Sequence, residues 1–117
     1  MIETYKEFGF EAAHSLPPHV SLHDHSFRVR LHLHGNPDPV FGWAANLKDV
    51  DRHVYKVVKQ LNNRHLNEIE GLALPSMENI ARWIWDELAG PLPSLARVAV
   101  SRGFNGHEEG CVYTGRA

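Results

Sequence analysis

One cysteine, Cys111, occurs in the 117 residues, so the chain cannot be stapled by disulfides within itself. It has no basic excess: 12 Lys and Arg stand against 14 Asp and Glu, for a formal net charge of −2. No surplus of cations is available to neutralise nucleic-acid phosphates. No apolar run approaches the length that spans a bilayer. The opening Met1–Phe10 has neither the basic nor the apolar region of a secretory signal. Neither nucleic acid nor membrane is therefore expected as a partner, and the expected location is cytoplasmic. Internal repeats and low-complexity segments are also missing. With 43% hydrophobic and 22% charged residues, the composition is that of an ordinary globular domain. The length fits a single domain over residues 1–117, small enough for oligomerisation to help it bury surface. What the chain has in excess is histidine, nine in all.

The hydrophobic periodicity predicts an α+β domain. From Ile2 to Ala12, Phe8 and Phe10 lie on one phase of a two-residue alternation, and Glu7, Gly9 and Glu11 on the other, which is a strand pattern. Pro17 and Pro18 make Ser15–Leu22 a short loop. Ser26–Gly35 alternates again, with Phe27, Val29, Leu31 and Leu33 opposite Arg28, Arg30, His32 and His34. Asn36 to Pro39 ends it. Apolar residues at 47, 50, 54, 57, 58 and 61 predict a helix over Leu47–Leu61 capped by Asn46. Asn62–Leu74 reads as loop. A second helix opens at Pro75-Ser76 and runs to about Ala89, with Ile80, Trp83, Ile84 and Leu88 on one face. Arg97–Ser101 and Cys111–Thr114 read as final strands around a glycine-containing loop. The order β-β-α-α-β-β predicts a four-stranded antiparallel sheet with two helices on one face. The other face is polar, suited to a solvent-filled interior or a subunit contact.

His23 and His25 are two residues apart, so in a strand both imidazoles project to the same side. His14 shares the phase of Phe8 and Phe10, and an antiparallel neighbour would bring it alongside the pair. Three neutral imidazoles with an open fourth position form a standard catalytic zinc site. Imidazole also serves iron, nickel and copper. His32 and His34 repeat the His-x-His spacing but read as polar-face residues.

Phe10-Glu11-Ala12-Ala13-His14-Ser15-Leu16-Pro17, followed by Leu22-His23-Asp24-His25-Ser26-Phe27, resembles the 6-pyruvoyltetrahydropterin synthase superfamily, and within it the 6-carboxytetrahydropterin synthases of the queuosine pathway. Gly42-Trp43, Leu47-Lys48 to Val50, Leu61–Asn67, Pro75 to Asn79 with Trp83-Ile84-Trp85, and Gly110 to Tyr113 continue the match in order. The resemblance implies the tunnelling fold, assembled as a homo-trimer or homo-hexamer with active sites between subunits. It implies one Zn2+ per subunit on His14, His23 and His25, and a lyase acting on dihydroneopterin triphosphate. In such enzymes zinc acidifies the substrate side-chain hydroxyls. A cysteine and an Asp-His pair move protons, and a glutamate anchors the pterin.

The sequence departs from that pattern where the proton chemistry lies. The family cysteine has no counterpart in the shortened loop before His23. The Asp-His pair falls on Asn62 and Asn63, which do not titrate near neutral pH. The anchoring glutamate falls on about Arg102. Cys111 aligns with the last strand, where the family tolerates Cys as packing. Two readings follow. In one, an enzyme works with relocated groups. His65, Asp24 and Glu108 are then the catalytic candidates, while Ser76, Glu78, Glu109 and Arg102 are the substrate-binding candidates. His19 is a further site candidate, and Arg28 and Arg30 are possible triphosphate contacts. Glycines in the loop from Gly103 to Gly110 would let Glu108 or Glu109 fold back. In the other reading, the chain is a catalytically silent paralogue that binds a pterin or metal without turnover.

Overall fold

The computed structural model describes residues 1–17, 19–104 and 106–115, and of 19–21 and 104 the backbone only. Strands β1 (Ile2–Leu16) and β2 (His19–Gly35) form a long hairpin. Helix α1 (Leu47–Leu61), a 3₁₀ turn (Leu66–Glu68) and helix α2 (Met77–Leu88) follow, and β3 (Leu95–Phe104) and β4 (His107–Tyr113) complete the sheet. Every neighbouring pair is antiparallel and the spatial order is β1-β2-β3-β4. Chain order and spatial order coincide, and the long crossing from β2 to β3 carries both helices.

Alternation along the strands decides which face the helices cover. Phe10 pairs with Phe27 across β1 and β2, and their rings stack 5.0 Å apart. Val29, Leu31, Leu33, Val98 and Val100 continue that face and are buried. Against them α1 sets Val50, Val54, Val57 and Leu61, and α2 sets Ile80, Ala81, Ile84 and Leu88. Each such burial contributes roughly 1.5–3 kcal/mol. Local chemistry fixes the helix starts: Asn46 Oδ1 accepts from the Lys48 amide at 3.1 Å, and Ser76 Oγ accepts from the Asn79 amide at 3.1 Å.

The opposite face is a charged ladder. Glu7 pairs with Arg30 at 2.7 Å and with Arg28 at 3.3 Å, and Arg30 lies over the Tyr5 ring. Glu3 gathers His32 at 2.6 Å, His34 at 3.1 Å and Arg97. The Arg97 hydrogen bond leads the causes that hold the Glu3 carboxyl at about 2, below its ordinary value.

Three expected boundaries move. Ser15–Leu22 is not a loop, because β1 runs to Leu16 and β2 starts at His19; Pro18 lies outside the described residues. Asn62–Leu74 contains the 3₁₀ turn. The expected loop from Gly103 to Gly110 is mostly strand, since β3 runs to Phe104 and β4 begins at His107. Gly103 is required there because a Cβ would lie 2.2 Å from the His107 carbonyl oxygen, and Gly106 turns the chain at φ +79°.

Candidate metal centre and its surroundings

The β1–β2 register places His14 directly opposite His23, and Ala12 opposite His25. All three histidines continue the core-facing phase of Phe10 and Phe27 to the end of the sheet, where the apolar core gives way to a polar site. A register shift between His14 and Leu16 interrupts the ladder beside them; such bulges re-aim side chains at functional sites. The His14 and His25 rings meet edge-on at 4.9 Å, and those of His23 and His25 lie 6.2 Å apart. The arrangement brings together the three residues expected as ligands.

His14 is 3% exposed, the one polar or charged side chain buried among the described residues. Its Nδ1 donates to the Pro75 carbonyl at 2.9 Å, at the entry to α2. A carbonyl only accepts, so the proton sits on Nδ1 and the Nε2 lone pair faces the site. This is the orientation that a ligating imidazole receives from its outer partner. Burial first, then the Arg102 charge and the neighbouring imidazoles, lowers the His25 pKa and favours the neutral, ligating form. The donor set therefore fits a zinc-type ion. Among the described residues, however, no three His, Cys, Asp or Glu side chains are drawn together closely enough to hold a metal as they stand. Arg102 Nη1 donates to His14 Nε2 at 3.2 Å, occupying the lone pair that a metal would use.

The other candidates divide between the two faces of the sheet. Arg102 pairs in register with Phe27 and with Glu109, so both charged residues share the face of the histidines. Glu109 Oε1 accepts from Arg102 Nε and Nη2, each at 3.3 Å. Glu108 pairs with Gly103 and Asp24 with Ala13, which sends both to the opposite face. In the described pairing, β2 and β3 part beyond Phe27 and Arg102. A cavity of about 920 Å³ opens there, lined in part by Asp24, His25, Arg102, His107, Glu108 and Glu109. Glu109 thus reaches the histidine face as a strand residue rather than by a loop folding back.

His65 bridges to Ala13, and together with Asp24 and His25 it lines a second cavity of about 440 Å³. Its Nδ1 lies 3.5 Å from Glu68, and its Nε2 is buried with no hydrogen-bond partner among the described residues. Ser76 caps α2, next to the carbonyl that holds His14. Glu78, in the first turn of α2, contributes its charge, after burial, to raising the Cys111 pKa. Cys111 pairs with Val100 on the core-facing side. Arg28 and Arg30 lie on the opposite sheet face, paired with Glu7. The His19 side chain lies outside the described residues.

Sequence reasoning did not anticipate the structural work of the asparagines. Asn62 Oδ1 accepts from the Glu11 amide at 3.0 Å, and the Asn63 amide donates to the Glu11 carbonyl. Asn67 accepts from the Ser15 amide and donates to the carbonyls of Ser15 and Ala73. The three residues tie the connection between α1 and α2 along the outer edge of β1, beside His14. Clustered Asn in a loop is the signal; clamping strand edges is one of the few uses that needs both amide donors and acceptors.

Comparison with known proteins agrees with this architecture. Residues 3–115 match the family described as 6-pyruvoyl tetrahydropterin synthase, and the chain belongs to that family. It is 38% identical over 107 residues to the 6-carboxy-5,6,7,8-tetrahydropterin synthase of Synechocystis, covering 82% of each chain. It is 30% identical over 104 residues to the dihydroneopterin monophosphate aldolase of Pyrococcus furiosus, covering 87% of this chain and 88% of the relative. The fold superposes on 6-pyruvoyl tetrahydropterin synthase from Caenorhabditis elegans with a TM-score of 0.86, at 18% identity, covering 98% of this chain and 96% of that one. The expected tunnelling fold, with its four antiparallel strands and two helices, is thus the fold of the chain.

Proposed function

We propose that the chain, as a single domain over residues 1–117, is a metal-dependent lyase of pterin metabolism. It resembles 6-carboxytetrahydropterin synthase and acts on dihydroneopterin triphosphate in the queuosine branch. The observation that carries this reading is the placement of His14, His23 and His25 side by side on one face of the sheet, with the His14 Nε2 lone pair turned into the site by its bond to Pro75. Family membership and the Synechocystis relative support the pterin assignment.

Under this proposal the three imidazoles hold Zn2+, which when bound supplies Lewis acidity to the hydroxyls of the substrate side chain. His65 is the general base, because it lines the cavity shared with Asp24 and His25 and its buried Nε2 has no hydrogen-bond partner among the described residues. Asp24 and Glu108 act from the far side of the cleft as proton-accepting carboxylates. Glu109 takes the place of the pterin-anchoring carboxylate, since it is the cross-strand partner of Arg102 on the histidine face. Arg102, paired with Glu109, contributes to the same substrate contact. Ser76 and Glu78 complete the substrate wall from α2. The subunits assemble as a homo-trimer or homo-hexamer in the cytoplasm, with neither nucleic acid nor membrane as partner.

The silent-paralogue reading has one specific observation in its favour: Asn62 and Asn63, at the positions of the expected Asp-His pair, are engaged in holding β1. A turnover assay separates the two. Zinc-loaded protein is incubated with dihydroneopterin triphosphate and, because of the Pyrococcus relative, with dihydroneopterin monophosphate. The enzyme reading expects zinc-dependent conversion that His65→Ala reduces by about 10²-fold or more, the scale of general acid–base catalysis. Binding of zinc and pterin without conversion of either substrate would establish the silent reading.

A further inference from the structure

We propose that Arg102 is a displaceable cation built into the trihistidine site: its guanidinium caps the His14 Nε2 lone pair until a metal takes that lone pair, and it is then released to the Glu109 carboxylate. This rests on the metal-centre reading above and goes beyond it by naming what the ion must displace and where the displaced group goes.

His14 has one lone pair to offer. Its Nδ1 is committed as a donor to the Pro75 carbonyl at 2.9 Å, so Nε2 alone can accept from a cation, and Arg102 Nη1 already stands there at 3.2 Å. A guanidinium does not give up its charge by losing a proton in a protein, so it must leave by moving. The route is prepared. Glu109 faces Arg102 in the strand register and accepts from both Nε and Nη2, at 3.3 Å each, distances long enough to shorten when the Nη1 contact is lost. The Arg102 side chain is partly exposed beside the 920 Å³ cavity, so it has room to turn. Metal affinity is then set by an exchange: one charge-assisted bond at His14 is given up, and a tighter pair with Glu109 is gained.

The exchange predicts effects of opposite sign at two neighbouring positions. Zinc affinity is measured by competition with a chromogenic chelator for the parent and for Arg102→Gln, Arg102→Met, Glu109→Gln and His14→Ala. Both Arg102 variants are expected to bind zinc about tenfold more tightly than the parent, the scale of one charge-assisted hydrogen bond. Glu109→Gln is expected to bind several-fold more weakly, because the guanidinium loses its alternative partner. General loosening of the hairpin would weaken all of them. A second readout needs no metal: in long-range 1H–15N spectra of the metal-free proteins, the His14 Nε2 resonance shifts in both Arg102 variants. Equal or weaker zinc binding by both Arg102 variants, or an unmoved Nε2 resonance, overturns the inference. If the parent binds zinc through His14 and the Arg102 variants bind no tighter, only this inference fails. If the parent binds no zinc that His14→Ala abolishes, the metal-centre reading fails and takes this one with it.

Discussion

His14 joins three parts of the chain that lie far apart in sequence. Its Nδ1 partner Pro75 is 61 positions away, and its Nε2 partner Arg102 is 88 positions away. Its place beside His23 and His25 was legible, because a period of two fixes the face of every strand residue. Its two hydrogen bonds were not, because they depend on how α2 and β3 dock. Ser76, a substrate-binding candidate in the sequence, caps α2 in the structure. Ser76→Ala should therefore cost about 1 kcal/mol of stability in urea unfolding, whatever it does to substrate binding. An unchanged midpoint would show that the cap contributes nothing. Cys111 presents the opposite case, a reactive residue type made inert. Burial raises its thiol pKa, with Glu78 adding to the effect, so little thiolate forms near neutral pH. Iodoacetamide at pH 7.5 should label it at least about tenfold more slowly in the folded protein than in urea. Comparable rates would show that the fold does not shield the thiol.

At the scale of elements, α1 has the boundaries that its periodicity and its Asn46 cap predict, since both signals are local. The β3–β4 hairpin was harder to read. Gly103 and Gly106 look like loop residues, yet here glycine serves a close backbone approach and a tight turn between two paired strands. Its full length matters for the site, because only the extended pairing puts Glu109 and Arg102 on the histidine face and Glu108 on the other. The connection after α1 shows a similar gap between composition and role. Asn67 makes three hydrogen bonds, two of them to the backbone of Ser15, next to His14. Asn67→Ala should cost about 3 kcal/mol at roughly 1 kcal/mol per lost bond, and should also weaken zinc binding by loosening β1. Chemical denaturation and zinc titration of the same variant check both effects. Full stability with full zinc affinity would show that the clamp is dispensable.

For the whole molecule, the sheet is the organising feature, with one face packed under two helices and the other charged. The polar face was legible from alternation alone, but its pairing was not, because cross-strand partners require the register. Glu3 sits among His32, His34 and Arg97, and its carboxyl is held at about 2. A depressed folded-state pKa gives stability that is present above the ordinary value of 4.5 and lost as pH falls through about 2. The stability difference between the parent and Glu3→Gln should accordingly be largest above about pH 4.5 and shrink toward pH 2. A difference independent of pH would remove Glu3 as the cause. A sheet with one polar face and two outer strands also suits closure with other copies. Light scattering should give three or six chain masses, and a monomer at micromolar concentration would contradict the assembly. Zinc ligation by His14, His23 and His25 is the proposal on which the rest depends. X-ray absorption at the zinc edge of the zinc-loaded protein tests it most directly. The expected first shell is three imidazole nitrogens at about 2.0–2.1 Å plus an oxygen, with the imidazole signal diminished in His14→Ala. A first shell containing sulfur, or one without imidazoles, would contradict it.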